Sequence, residues 1–186
     1  MSSVAETKAE ATKRMDKSLE ALKKDFQHVR TGRATPSLFD NIRVDYYGSQ
    51  MPINQVATVS IPEARMVLIQ PWEKTMLPVI EKAIKASDLG LNPQSDGNIL
   101  RVPIPALSEE RRQTLAKSCK KTAEEGKVAI RNIRRDSNEA LKKLEKDRKI
   151  TEDESKKALE EIQKLTDKYI ATVDTMLAAK EKEVME

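Results

Sequence analysis

Apolar positions recur at two different periods along this chain, and the change of period divides it. Near the start, Met15, Leu19, Leu22, Phe26 and Val29 step alternately by four and three residues. That spacing places all five on one stripe of an α-helix, the seam of a heptad pattern. Arg30-Thr31-Gly32 follows, and the glycine is expected to stop the helix there. A second helix is expected from Ser108, an N-cap residue, with Glu109 and Glu110 suiting the positive end of the helix dipole. Its seam runs through Leu115, Cys119, Thr122, Gly126, Ala129 with Ile130, Ile133, Ser137, Ala140 with Leu141, and Leu144. Several of these are small, so a neighbouring helix can come close around Gly126. A third helix opens with the capping box Thr151-Glu152-Asp153-Glu154. Its stripe holds Ala158, Ile162, Leu165, Tyr169, Val173, Met176 and Ala179, widened by Leu159, Ile170 and Leu177. The short charged connection at 146–150 favours an antiparallel hairpin.

Between these helices the period drops to two. Ile42, Val44 and Tyr46 alternate with Arg43, Asp45 and Tyr47, which predicts a strand. Residues 56–61 and 64–70 are further strand candidates. Val79, Ile80, Ala83 and Ile84 have helical spacing, Asp96-Gly97 is a turn, and 99–102 makes a last short strand. All 8 prolines lie from Pro36 to Pro105. Proline breaks helix interiors, so the flanks can be long helices and the middle cannot. The expected fold class is α+β. Residues 1–30 and 106–186 form an elongated antiparallel three-helix bundle, with a small β/α/β domain, residues 31–105, inserted in the first inter-helix connection. A helix from 108 to 146 would span about 55–60 Å. The two linkers, 30–35 and Pro103-Ile104-Pro105-Ala106, make an expected hinge.

Composition narrows the function. The 186 residues are 38% hydrophobic, 34% charged and 3% aromatic, which fits either disorder or charged helices with narrow seams. The periodicity selects the helices. A single cysteine excludes an intramolecular disulfide framework, and with one histidine it leaves no ready His/Cys metal site. No metal and no cofactor are expected. Residues 1–30 lack an apolar signal core, and the longest aliphatic run, Met66 to Ile69, falls far short of the roughly 20 residues of a membrane span. A soluble cytoplasmic protein, with no membrane partner, is expected. GxxxxGK[ST] and GxGxxG are absent. His28 has no serine or cysteine nearby in sequence, Cys119 reads as a buried inert thiol, and pairs such as Glu160-Glu161 read as solvated charge. No enzymatic activity is expected.

Charge distribution points to a partner. The chain carries +4 in all, but residues 106–149 hold 14 basic against 8 acidic residues, a surplus of +6, and 150–186 hold −4. On a wheel of about 100° per residue, Lys117, Lys120, Lys127, Arg135, Asn138 and Lys142 fall within about 40° of Arg131, and Arg134 about 60° away. The apolar seam is expected on the opposite side. Arginine meets phosphate bidentately, so Arg131, Arg134 and Arg135 with Lys127 predict contact with a nucleic-acid backbone rather than a merely solvated face. The helix has no aromatic residue, so base stacking is not its mode, and a folded nucleic acid read by shape is expected. Arg30, Arg33, Arg111 and Arg112 form a second cluster, either helix-end charge or an extension of the same surface. A self-associating helical scaffold is the other class this composition allows, and exposed seams would favour it.

These residues also carry a resemblance. Residues 30–38 (RTGRATPSL), Lys82-Ala83-Ile84 with 87–93 (SDLGLNP), 101–105 (RVPIP) with Glu109-Glu110-Arg111-Arg112, and 128–136 (VAIRNIRRD) resemble, in order, stretches of the bacterial ribosome-recycling factor family. The resemblance implies a three-helix bundle and a smaller domain on a hinge, L-shaped and similar in outline to transfer RNA. It implies ribosome recycling after translation termination: binding to large ribosomal subunit RNA and, with GTP-bound elongation factor G, splitting of the post-termination complex. It implies that Arg131 and Arg134 contact ribosomal RNA, assisted by Arg30, Arg112 and Arg135. Thr31, Gly32 and Arg33 with Pro103, Ile104 and Pro105 would serve the hinge, and the protein would act as a monomer.

Overall fold

The computed structural model describes residues 3–186; Met1 and Ser2, where the expected first domain begins, lie outside the described residues. In chain order the elements are α1 (Val4–Gln27), β1 (Arg43–Tyr46), β2 (Ser49–Pro52), β3 (Ala57–Glu63), β4 (Met66–Pro71), α2 (Leu77–Ala86), β5 (Gln94–Asp96), β6 (Ile99–Pro103), α3 (Glu109–Lys146) and α4 (Glu152–Met185). They gather into two compact units, Met1–Arg30 with Glu109–Glu186, and Thr31–Ser108. Among the described residues, no helix is long and apolar enough to cross a membrane.

The first unit is a bundle of α1, α3 and α4. Side-chain contacts give its register. Arg14 pairs with Asp136 at 2.8 Å, and Leu22 packs on Gly126, so α1 and α3 run antiparallel. Lys127 pairs with Asp174, and Arg112 near the start of α3 reaches the Met185 carbonyl at 3.4 Å, so α3 and α4 are antiparallel too. Lys8–Glu161 and Asp16–Tyr169 keep a constant offset, which makes α1 and α4 parallel. Met15, Leu22, Phe26, Ile130, Leu141, Ile162 and Val173 fill the core.

Local chemistry starts and stops these helices. Thr151 and Glu154 form the capping box that opens α4, and Ser3 with Glu6 form a second one that opens α1. Buried Ser137 and Thr166 donate to the carbonyls of Ile133 and Ile162, both at 2.8 Å, so neither hydroxyl is left unpaired in the core. Three details depart from the seam reading. The first helix ends at Gln27 with His28 as its cap, and its buried stripe extends back through Ala11 and Thr7. Ala179 is exposed, and Val184 is buried beyond it. Gly32 does not cap the helix: it adopts a left-handed φ of 74°, and a Cβ there would sit 3.1 Å from Leu107 Cγ.

The second unit packs α2 on a four-stranded antiparallel sheet of order β3-β4-β6-β5. Val67 and Ile69 of β4 and Leu100 and Val102 of β6 are buried on one face, against Ile80 and Ile84 of α2. β1 and β2 form a separate hairpin whose turn residues, Tyr47 and Gly48, both have positive φ, the requirement of a type I′ turn. The segments entering and leaving this unit are tied to one place. Ala34 N–H donates to Ala64 O at 2.7 Å, and Ile104 N–H donates to the neighbouring Arg65 O at 2.8 Å. Pro103 is the last residue of β6, opposite Met66.

Two expectations follow from the packing. Gly126→Ala adds a Cβ 3.4 Å from Leu22 Cδ2, ordinary contact, and should be neutral or stabilise the helix by up to about 1 kcal/mol. Gly126→Leu overpacks the same site and should cost about 1–3 kcal/mol. Thermal melts followed by far-UV circular dichroism measure both, and a Leu variant as stable as the parent would refute the close approach.

Tyr169 O–H donates to the Asp16 carboxylate, and burial together with that carboxylate pushes its pKa from 10.0 up to about 12. The folded state thus favours the protonated phenol. Its contribution is complete below pH 10 and is lost as pH rises towards 12. Tyr169→Phe should be about 0.5–1.5 kcal/mol less stable at neutral pH. Denaturant titrations across the alkaline range should show that gap closing.

Candidate nucleic-acid interface

Every predicted phosphate-contacting residue except Arg30 is carried by α3, which has no proline from Glu109 to Lys146. A continuous helix fixes the spacing of its charges, about 1.5 Å of rise and 100° of turn per residue. Arg131, Arg134 and Arg135 therefore project within little more than one turn of one another. Arg112 lies on the same helix, roughly 28 Å away along the axis. Arg30 is exposed just past the end of α1, and the antiparallel register places it beside the Cys119 level of α3 rather than the Arg131 level.

The stripe does not lie opposite the core as the wheel of an isolated helix suggested. Buried Ala123, Ile130 and Leu141 fall only about 80–100° from Arg131 on that wheel. One edge of the stripe consequently runs along α4, whose acidic surplus meets it. Lys127 pairs with Asp174 and keeps only 17% of its side chain exposed. Lys120 pairs with Glu181 at 3.6 Å. Arg134 donates to the neutral Gln163 Oε1 at 3.4 Å.

The other edge faces water. Arg135, Lys117 and Lys142 are exposed there, and none has an ion-pair partner among the described residues. Arg131 lies between the two edges and pairs with Glu124 of its own helix at 3.0 Å. Arg112 is partly engaged, donating to the Met185 carbonyl that ends α4. The arginine cluster is thus graded, with Arg135 open, Arg134 lightly held and Arg131 charge-compensated. Val128, 46% exposed, is a solvent-facing apolar residue beside them that charge reasoning passed over. Its place between Lys121 and Arg135 on the wheel is a signal the sequence did contain.

Other chemistry is sparse. No group of three or more His, Cys, Asp or Glu residues among those described could hold a metal ion. Burial of Cys119 pushes its thiol pKa up, away from the reactive thiolate. In the second unit Tyr46 and Tyr47 both donate to Glu73, at 2.6 and 2.8 Å. These bonds raise the tyrosine pKa values and lower that of Glu73. A groove of about 520 Å³ runs past Pro36, Phe39, Pro52, Ile53 and Trp72, which is 65% exposed. In the bundle, the large apolar side chains exposed among the described residues are Val128 and Met185. Most of its seam residues are buried within one chain.

Comparison with known proteins agrees along the whole length. The family model described as ribosome recycling factor matches residues 22–185. The ribosome-recycling factor of Cupriavidus taiwanensis is 55% identical over 183 residues, covering 98% of each chain. That of Carboxydothermus hydrogenoformans is 56% identical over 176 residues, covering 95% of each. Among solved structures, a solution structure of the ribosome recycling factor matches with a TM-score of 0.75 at 44% identity, covering 100% of this chain and 98% of that one. A second match, described as models for the T. thermophilus ribosome recycling factor and the E. coli elongation factor G bound to the E. coli post-termination complex, has a TM-score of 0.66 at 47% identity and covers both chains fully.

The graded pairing makes a test that needs no natural ligand. On a heparin column, Arg135→Gln should elute at clearly lower salt than the parent. Lys127→Gln should shift less, because Asp174 already offsets that charge. Equal shifts would mean that the Lys127–Asp174 contact does not hold in solution.

Proposed function

The chain belongs to the ribosome recycling factor family, and from that premise we propose how it recycles ribosomes after translation termination. The bundle docks on large-subunit ribosomal RNA through α3, and with elongation factor G and its GTP the protein splits the post-termination complex into subunits. The observation that carries this reading is the graded arginine cluster, Arg131, Arg134 and Arg135, on one face of a helix of 38 residues. Three arginines at fixed spacing bind a folded backbone by its phosphates, without reading bases. Arg112, Arg30 and Lys127 extend the field of that face. The relative described, as models, together with elongation factor G bound to the post-termination complex supports the choice of partner.

The mechanism we infer is mechanical. The bundle is a stiff lever because α1, α3 and α4 share one continuous apolar core. The second unit swings on its two connections, and the GTPase supplies the energy by pushing on the factor. The freedom of the hinge lies in Thr31, Gly32 and Arg33 on one side and from Pro105 onward on the other. Ile104 moves with the sheet that its N–H is bonded to. The chain contributes binding, shape and rigidity, works as a cytoplasmic monomer and holds no cofactor.

Polysome breakdown tests the proposal. Post-termination polysomes would be incubated with the protein, elongation factor G and GTP, then resolved on a sucrose gradient. Conversion to monosomes or subunits is expected only with all three present. No conversion with folded protein and active elongation factor G would overturn it. Arg134→Glu should bind large subunits more weakly and lower the slope of log affinity against log salt by about 1 or more. A variant that binds like the parent removes RNA docking from the mechanism.

A further inference from the structure

We infer that Glu124 is a built-in competitor for RNA phosphate: its carboxylate holds Arg131 in an ion pair that RNA must open, and it thereby limits the affinity of the docking face. This rests on the reading of α3 as the RNA-docking surface and adds a residue of opposite charge to it.

The position of Glu124 is the first argument. On the helical wheel it falls about 20° from Arg131, two turns earlier, so it lies inside the basic stripe. Arg131 Nη1 meets Glu124 Oε1 at 3.0 Å, with 38% and 59% of the two side chains exposed. A pair two turns apart is not the usual helical pairing, which joins residues three or four apart. The neighbouring contacts explain it. Of the three cations three or four residues from Glu124, α4 takes Lys120 and Lys127, through Glu181 and Asp174, and Lys121 has no ion-pair partner among the described residues. Arg131 is the next cation on the stripe. Helical side chains lean toward the N-terminus, which carries its guanidinium back toward Glu124.

The chemistry of the pair is the second argument. A carboxylate presents the guanidinium with the same paired acceptor oxygens as a phosphate. The pair is solvent-exposed, so it is weak enough to open, yet each docking event has to open it. Arg134 faces only a neutral amide and Arg135 has no ion-pair partner among the described residues. Glu124 therefore acts on one arginine of the three. A recycling factor has to leave the subunit after each round, and an internal competitor keeps docking reversible.

The test uses the full chain and purified bacterial large ribosomal subunits, with binding measured across a series of salt concentrations. Glu124→Gln keeps the shape and removes the charge. It should bind roughly two- to fivefold tighter than the parent, the range of an exposed ion pair. The gain should shrink as salt rises, because screening weakens the pair that RNA has to open, while the number of phosphate contacts stays that of the parent. Glu125→Gln, which removes a charge from outside the stripe, should change little. In an Arg131→Gln background the gain from Glu124→Gln should vanish. No gain, or an equal gain in both backgrounds, overturns the inference, the second because Glu124 would then act by general repulsion. If Arg131→Gln and Arg134→Gln both bind like the parent, the docking reading itself fails, a result distinct from either.

Discussion

α3 has to bury two separate flanks at once, one against α1 and one against α4, and the remainder of the bundle follows from that. Neither partner could remain a helix alone with its apolar stripe in water. Gly126 lets Leu22 of α1 come close on one flank, while Ile130 and Leu141 meet the α4 side. With two flanks committed, only the remaining arc of α3 is available to a partner. That arc carries the arginines, and a core of aliphatic side chains beneath it keeps their spacing fixed. Where the charges sit is therefore a packing result as much as an electrostatic one.

The same packing sets up a conflict. A helix rich in cations is stabilised by an acidic neighbour, and α4 supplies one. Each α4 carboxylate that pairs with α3 also subtracts from the field a polyanion would feel. The molecule resolves this by geometry. Lys120 and Lys127, on the edge beside α4, take the acidic partners, while Arg135 on the far edge takes none among the described residues. The cations that pair with α4 and those left open to a polyanion are thus different residues of one stripe.

Most of the bundle was legible in the chain because its helices are long and their seams keep the 3.6-residue period. The exceptions have physical causes. The buried start of α1 uses Thr7 and Ala11, which do not stand out as apolar; Gly32 stops no helix, since α1 already ends at Gln27, and its left-handed φ and close approach to Leu107 serve the linker instead. In the second unit β3, β4 and β6 were readable from alternation. β2 and β5 were not: Gln94–Asp96 is polar and exposed and is held by backbone pairing, and in Ser49–Pro52 only Met51 packs on the core, too little to show an alternation. At the candidate site the identities of the arginines could be read directly. Which way each one is pulled could not, since a wheel describes one helix, while Lys127 answers to Asp174 on another.

The two backbone bonds to Ala64 and Arg65 have an architectural consequence. Adjacent carbonyls receive the incoming and the outgoing strand, so the second unit starts and finishes at one point of its own surface. A module with its ends side by side can be spliced into a loop without pulling the host apart. α1 and α3 are antiparallel neighbours, and a short link could join them in its absence. The sheet unit is thus built as a cassette, with both of its connections leaving from a single position on its own surface.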